Sequence, residues 1–98
     1  MARAYWVNTF REIRDEAKLD AYVALAGPAI HAGGGRFLAR GNPAAAFESG
    51  TTNRVALIEF DSVEQAVATY EGPEYQAAVE ALGDGAVRDI RIIEAIPD

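Results

Sequence analysis

Residues 31–41 read HAGGGRFLARG. The three successive glycines admit two readings. A phosphate cradle sets its glycines in front of a helix, where free N–H groups and the positive end of the helix dipole meet the anion. A helix terminator sets them behind one, where a glycine takes the left-handed conformation and the chain reverses. The neighbours decide between the two. Upstream, Leu19, Tyr22, Val23, Ala26, Ala29 and Ile30 recur at three- and four-residue steps, the mark of a helix with one apolar face. Downstream, RFLARG reads as a strand, and the glycines are not followed by the Lys-Ser/Thr of a P-loop. The glycines therefore close a helix and open a strand.

Working outward, RAYWVNTF (3–10) is rich in aromatic and β-branched residues and reads as a first strand. Asp15 is placed to cap the helix that follows, with Glu16 favourable at its positive end. Gly27-Pro28 interrupts that helix, so a kink or two short helices is expected there. After the second strand, NPAAAFESGTTN (42–53) is long for a bare connection, and 44–48 is expected to form a short edge strand or hairpin. RVALIEF (54–60) is a third strand. SVEQAVATYEG (62–72) is a helix opened by a Ser62/Gln65 capping box, PEYQAAVEAL (73–82) a short helix with Pro73 at its first position, and RDIRIIEAI (88–96) the last strand. The order β-α-β-β-α-β predicts an α+β, ferredoxin-like fold: an antiparallel sheet with both helical segments on one face.

Composition narrows the function classes. The length, 98 residues, suits a single domain spanning 1–98, and half the residues are hydrophobic, enough for a packed core. There is no cysteine, so thiolate chemistry, disulfides and iron–sulfur clusters are excluded, in keeping with a cytoplasmic protein. MARAYWVNTF lacks the apolar core of a secretory signal, and no run reaches the length of a membrane span, so no membrane partner is expected. The net charge of −6 and the lack of a basic cluster argue against nucleic acid. With a single histidine and no cysteine, no transition-metal site is expected.

Strand alternation supplies candidate site residues. Tyr5, Val7, Phe37, Ala39, Ala56, Ile58, Phe60, Ile93 and Ala95 form a uniformly apolar set, expected to meet the helices. The opposite set mixes Trp6, Leu38, Leu57 and Ile92 with Asn8, Arg40, Glu59 and Glu94, as at a dimer interface enclosing a polar pocket. Arg40 would hold a substrate carboxylate, with Glu59 as base or orienting group; the alternative is an ion pair without chemistry. His31 is either a general base or an ordinary polar group in a last helical turn. Tyr75 reaches a pocket with its hydroxyl or anchors its helix with its ring. Trp6 lines the pocket or anchors the interface, and Asn8 orients a ligand or satisfies a neighbouring strand.

The segments GGRFLARG, RVALIEFDS, YEGPEYQAA and IRIIEAI, taken together, resemble the domain-of-unknown-function family numbered 1330, of the dimeric α/β-barrel superfamily, over nearly the whole chain. The resemblance implies a ferredoxin-like fold that forms a homodimer with facing sheets. The chain departs from the pattern at Leu82, where members often carry arginine, and at Ala95, where they often carry glycine; if that arginine serves a ligand, this chain binds a different one or none. The resulting expectation is a homodimer that binds a small molecule, as a cofactor-free enzyme acting on a small acidic or oxygenated metabolite. The alternative is a non-catalytic dimeric binding or interaction module, and the sequence leaves open whether the protein is an enzyme. A ligand-sized void lined by Arg40 and Glu59 would favour the first.

Overall fold

The computed structural model describes residues 2–97. Its elements run β1 (Ala4–Ile13), α1 (Glu16–Ala32), β2 (Arg36–Gly41), β3 (Val55–Phe60), α2 (Val63–Glu71), α3 (Pro73–Leu82) and β4 (Ala86–Glu94). The strands form one antiparallel sheet in the order β2-β3-β1-β4. With the helices layered on one face, this is the ferredoxin-like topology.

Local chemistry sets the helix ends. The Asp15 side chain accepts the Lys18 N–H at 3.1 Å and starts α1. The Ser62 hydroxyl accepts the Gln65 N–H at 3.1 Å and starts α2. Pro73, whose missing N–H would be unpaired in any case, opens α3. The glycines behave as terminators. Gly34 takes φ +91°, its N–H meets the His31 carbonyl at 3.0 Å, and the Gly35 N–H meets the Ile30 carbonyl at 2.9 Å. These two bonds form the paired closure of a left-handed helix cap. The Gln65 side chain then donates to the Gly33 carbonyl at 2.9 Å, tying the end of α1 to the start of α2.

Two expectations are corrected. The helix α1 runs unbroken through Pro28, so it is not divided into two short helices. Proline deprives only the Ala24 carbonyl of its partner, and both residues are exposed, so water takes the place of the lost bond. The 42–54 connection holds no strand or hairpin at 44–48. Its three alanines have little strand preference, and its shape comes from a turn closed by Gly50 on the Phe47 carbonyl and from Asn42 bonded to the Thr52 carbonyl.

The sheet's faces also differ from expectation in β1 and β4. Ala4, Trp6, Asn8 and Phe10 are the buried residues of β1, and Ile92, Ile90 and Arg88 pair with Trp6, Asn8 and Phe10 from β4. Tyr5, Val7 and Ile93 lie on the open face instead. β3 follows expectation, with Ala56, Ile58 and Phe60 buried. In β2 the register slips at Leu38: Phe37 pairs with Ile58, but Ala39 pairs with Leu57 and Arg40 with Ala56. This one-residue bulge carries Arg40 onto the helix side. The core therefore packs Trp6, Phe10, Ile58 and Phe60 of the sheet against Leu19, Tyr22, Ile30, Tyr75 and Leu82 of α1 and α3.

Candidate functional site

Apart from the ring-borne polar atoms of Trp6, Tyr22 and Tyr75, Asn8 is the one buried polar side chain among the described residues, 3% exposed amid the aromatic alternation of β1. Its Oδ1 has no hydrogen-bond partner. Across the sheet it pairs with Ala56, and above it stand Ala26 and Gly27 of α1, so three small residues leave space over the carboxamide. The result is a cleft between α1 and the sheet, floored by Asn8, walled by Tyr22 and Phe37, and lined also by Arg40 and Arg54. Its volume is about 30 Å³, room for water and not for an organic molecule in this state. A Cβ added at Gly27 would meet nothing within 4 Å. Glycine inside a helix costs roughly 0.5–1 kcal/mol relative to alanine. Gly27 is thus a glycine where an alanine would fit, in the helix wall of the cleft.

The electrostatics of the cleft are one-sided. Arg40 and Arg54 have no carboxylate within ion-pair distance among the described residues, and no Asp or Glu lines the cleft. The Arg40 guanidinium lies 5.1 Å from the centre of the Phe37 ring, whose other neighbour is the His31 ring at 5.6 Å. Behind the cleft, the Tyr22 and Tyr75 hydroxyls are 2.6 Å apart, and Arg88 donates to the Tyr75 oxygen at 3.1 Å. Burial pushes the Tyr75 hydroxyl pKa far above the usual phenol value, Tyr22 adds to the rise, and Arg88 opposes it. For Arg88, burial disfavours the charge, but the two phenol oxygens outweigh it and hold the guanidinium protonated.

The sequence-derived candidates separate into three groups. Asn8 and Arg40 meet in the cleft. His31 is exposed in the last turn of α1 and reaches the cleft only through Phe37. Trp6 and Tyr75 are core residues: the Trp6 ring is fully buried, 4.9 Å edge-on to Tyr75 and 5.9 Å from Phe60, which excludes an interface position. Glu59 lies on the opposite face of the sheet, paired with Arg36 at 3.0 Å and Arg3 at 3.5 Å. A void shared by Arg40 and Glu59 is therefore excluded, because the Leu38 bulge sends the two side chains to opposite faces. The Asp61 and then the Glu59 carboxylate hold Arg36 more firmly protonated than usual. Arg54, Tyr22 and Gly27 escaped the sequence reading. Gly27 carried a signal, as a glycine beside the apolar stripe of a helix; Arg54 carried none. No group of three or more potential metal ligands occurs among the described residues.

Solved structures share this architecture. A protein of unknown function from Rhodopseudomonas palustris is 22% identical, with 98% of this chain and 82% of that one covered, at a TM-score of 0.73. The cofactor-independent oxygenase SnoaB from Streptomyces nogalater is 14% identical, with 100% and 97% covered, at 0.69. A dimeric ferredoxin-like protein of unknown function from Thermobifida fusca is 13% identical, with 96% and 92% covered, at 0.68. At these identities the likeness is one of fold. No protein in the curated set matches the chain. The sequence itself carries the closer relationship: residues 3–96 match the family described as domain of unknown function DUF1330, and the chain belongs to that family.

Proposed function

We propose that the protein is a cytoplasmic homodimer that binds a small acidic or oxygenated molecule, without a cofactor, in the cleft between α1 and the sheet, which widens from its water-sized state to admit it. The observation that carries this reading is the Asn8 carboxamide, buried with its oxygen unpartnered at the floor of the cleft. A buried polar atom left unpaired costs about 1–3 kcal/mol, and a ligand that supplies the missing hydrogen bond recovers it. Arg40 and Arg54 supply the charge that would favour an acidic molecule. The Asn8 Oδ1 accepts from a ligand O–H or N–H, and the two guanidiniums hold and polarise oxygen; none is a base. Any reaction in the cleft would use them to stabilise negative charge on a substrate oxygen, with the proton leaving to water. The likeness to SnoaB keeps cofactor-free oxygen chemistry open through fold alone.

The test is ligand titration followed by backbone amide NMR, with lactate and salicylate as probes, on the unmodified chain and on Gly27→Leu and Asn8→Leu. Gly27→Leu fills the cleft from a position with free space, and Asn8→Leu replaces the unpartnered carboxamide with a side chain of similar size. The expected result is shifts confined to residues around Asn8, Gly27 and Ala56, weakened at least tenfold in both variants, while thermal stability holds or rises. Unchanged binding in both variants, or no binding of either probe, would overturn the reading.

A further inference from the structure

The connection from β2 to β3 forms an arm. Its root is tied to the body of the protein. The Asn42 carboxamide donates to the Thr52 carbonyl at 3.0 Å, the Thr51 hydroxyl to the Phe10 carbonyl at 3.5 Å, and the Asn53 carboxamide to the Arg11 carbonyl at 3.0 Å. Its tip, residues 44–50, is exposed throughout and is turned by the Gly50 N–H on the Phe47 carbonyl at 2.9 Å. The tip presents three alanines, then Phe47, then Glu48. Phe47 is 80% exposed, whereas the other three phenylalanines and Trp6 are buried or half-buried. Glu48, at φ +54°, has no cation within ion-pair distance among the described residues.

Beside the root of the arm opens a groove of about 330 Å³. Ala39 and Gly41 of β2 pair with Leu57 and Val55 of β3, and the two small residues leave a trough along the two larger ones. The surface of the trough is mostly apolar, and its one charged residue is Arg40, which has no carboxylate partner. Val55 and Leu57 belong to the open face of the sheet, so the groove is continuous with that face. Phe47 is not among the residues that line it; the arm leaves the groove of its own chain unfilled.

Tip and groove match in chemistry. One offers an apolar ring followed by a carboxylate, the other an apolar trough beside a free guanidinium. Both are carried by the same chain, and a two-fold dimer requires that kind of self-complementary pair. We propose that in the homodimer the tip of each arm docks in the groove of the other copy, with Phe47 against Ala39, Val55 and Leu57 of the partner subunit and the Glu48 carboxylate on Arg40 of the partner subunit. The proposal rests on the homodimer of the reading above and names part of its interface. Arg40 lines both groove and cleft, so the arm of one copy reaches the cation of the other copy's site. Its five N–H donors can serve a carboxylate on each side, as Arg36 already serves Glu59 and Asp61, both at 3.0 Å.

The experiment is sedimentation equilibrium of the full chain, with amide NMR to show that each variant is folded. Phe47 and Glu48 are exposed, so changing them leaves the core intact. Phe47→Ser is expected to raise the dimer dissociation constant at least tenfold, because the symmetric dimer loses the anchor twice. Glu48→Arg and Arg40→Glu should each weaken the dimer at least fivefold, and the two together should recover most of that loss. An unmodified dimer that Phe47→Ser leaves unchanged would overturn this proposal alone, as would charge reversals whose effects add in the double variant. An unmodified chain that stays monomeric up to millimolar concentration would overturn both the proposal and the homodimer.

Discussion

The hydroxyl pair of Tyr22 and Tyr75 shows how one side chain couples packing to charge. Tyr75 is 1% exposed, its ring wedged edge-on to Trp6 and its oxygen fixed between Tyr22 and Arg88. Its folded pKa lies well above the ordinary 10.0, with burial as the first cause. Above about pH 10 the unfolded chain releases this proton and the folded chain keeps it, so the folded state binds more protons and stability falls as pH rises. The stabilisation is fully present below pH 10 and declines above it by up to about 1.4 kcal/mol per pH unit from this group. Tyr75→Phe should behave in two ways in urea unfolding. At pH 8 it should be less stable by about 1–2 kcal/mol, because Tyr22 and Arg88 lose a buried partner. From pH 10 to 11 its stability should fall less steeply than that of the unmodified chain. Parallel profiles for the two proteins would show that Tyr75 titrates normally.

Two glycines of one helix, α1 and its cap, should respond to alanine with opposite signs. At Gly34 the φ of +91° is strained for any L residue, and an added Cβ would press on the Gln65 amide that bonds Gly33. Gly34→Ala should therefore cost roughly 1 kcal/mol or more. Gly27 sits in ordinary helix with free space around its missing Cβ, so Gly27→Ala should raise stability by roughly 0.5–1 kcal/mol. Melting temperatures that move in the same direction would refute this account. The Gly34 cap was legible because it depends on neighbours in sequence, as were both helix N-caps and the element order. The faces of the edge-to-edge sheet were less so. β3 alternates apolar with mixed residues and declares its phase. β1 carries Tyr5 and Val7 on one side and Trp6 and Phe10 on the other, and β4 carries Ile93 against Ile90 and Ile92, so neither strand has a face that is plainly the polar one. Choosing the uniformly apolar set in β1 turned Asn8 outward, although Asn8 marks the cleft. The Leu38 bulge depends on pairing with β3 across a long connection, and nothing within RFLARG announces it. For that reason Arg40 and Glu59 were assigned to one face, whereas their side chains lie on opposite faces of the sheet.

At the scale of the whole molecule, the sheet has one face without helices. Val7 and Leu57 pair at its centre, Tyr5 and Val55 flank them, and Ile93 and Val87 on β4 are 60% and 38% exposed. Around this apolar middle lie two ion-pair groups, Arg3–Glu59–Arg36–Asp61 at one end and Arg11–Asp89–Arg91 at the other. A lone chain would leave the apolar middle in water, and exposed patches of this kind mark association surfaces. An apolar centre with a charged rim is the composition of a protein interface, and the rim pairs would fix its register. The unmodified chain should sediment as a dimer at micromolar concentration, with an interface on the order of 1,200–2,000 Å² in total. Leu57→Arg places a charge against its own copy near the centre of that surface and should give a folded monomer, since the residue contributes nothing to the core beneath the helices. Because the cleft lies on the helix side of the sheet, the monomeric variant should still bind its ligand. A monomeric unmodified chain, or a dimeric Leu57→Arg, would remove the open face as the site of association. Loss of binding in a folded monomer would mean instead that the partner helps to shape the cleft.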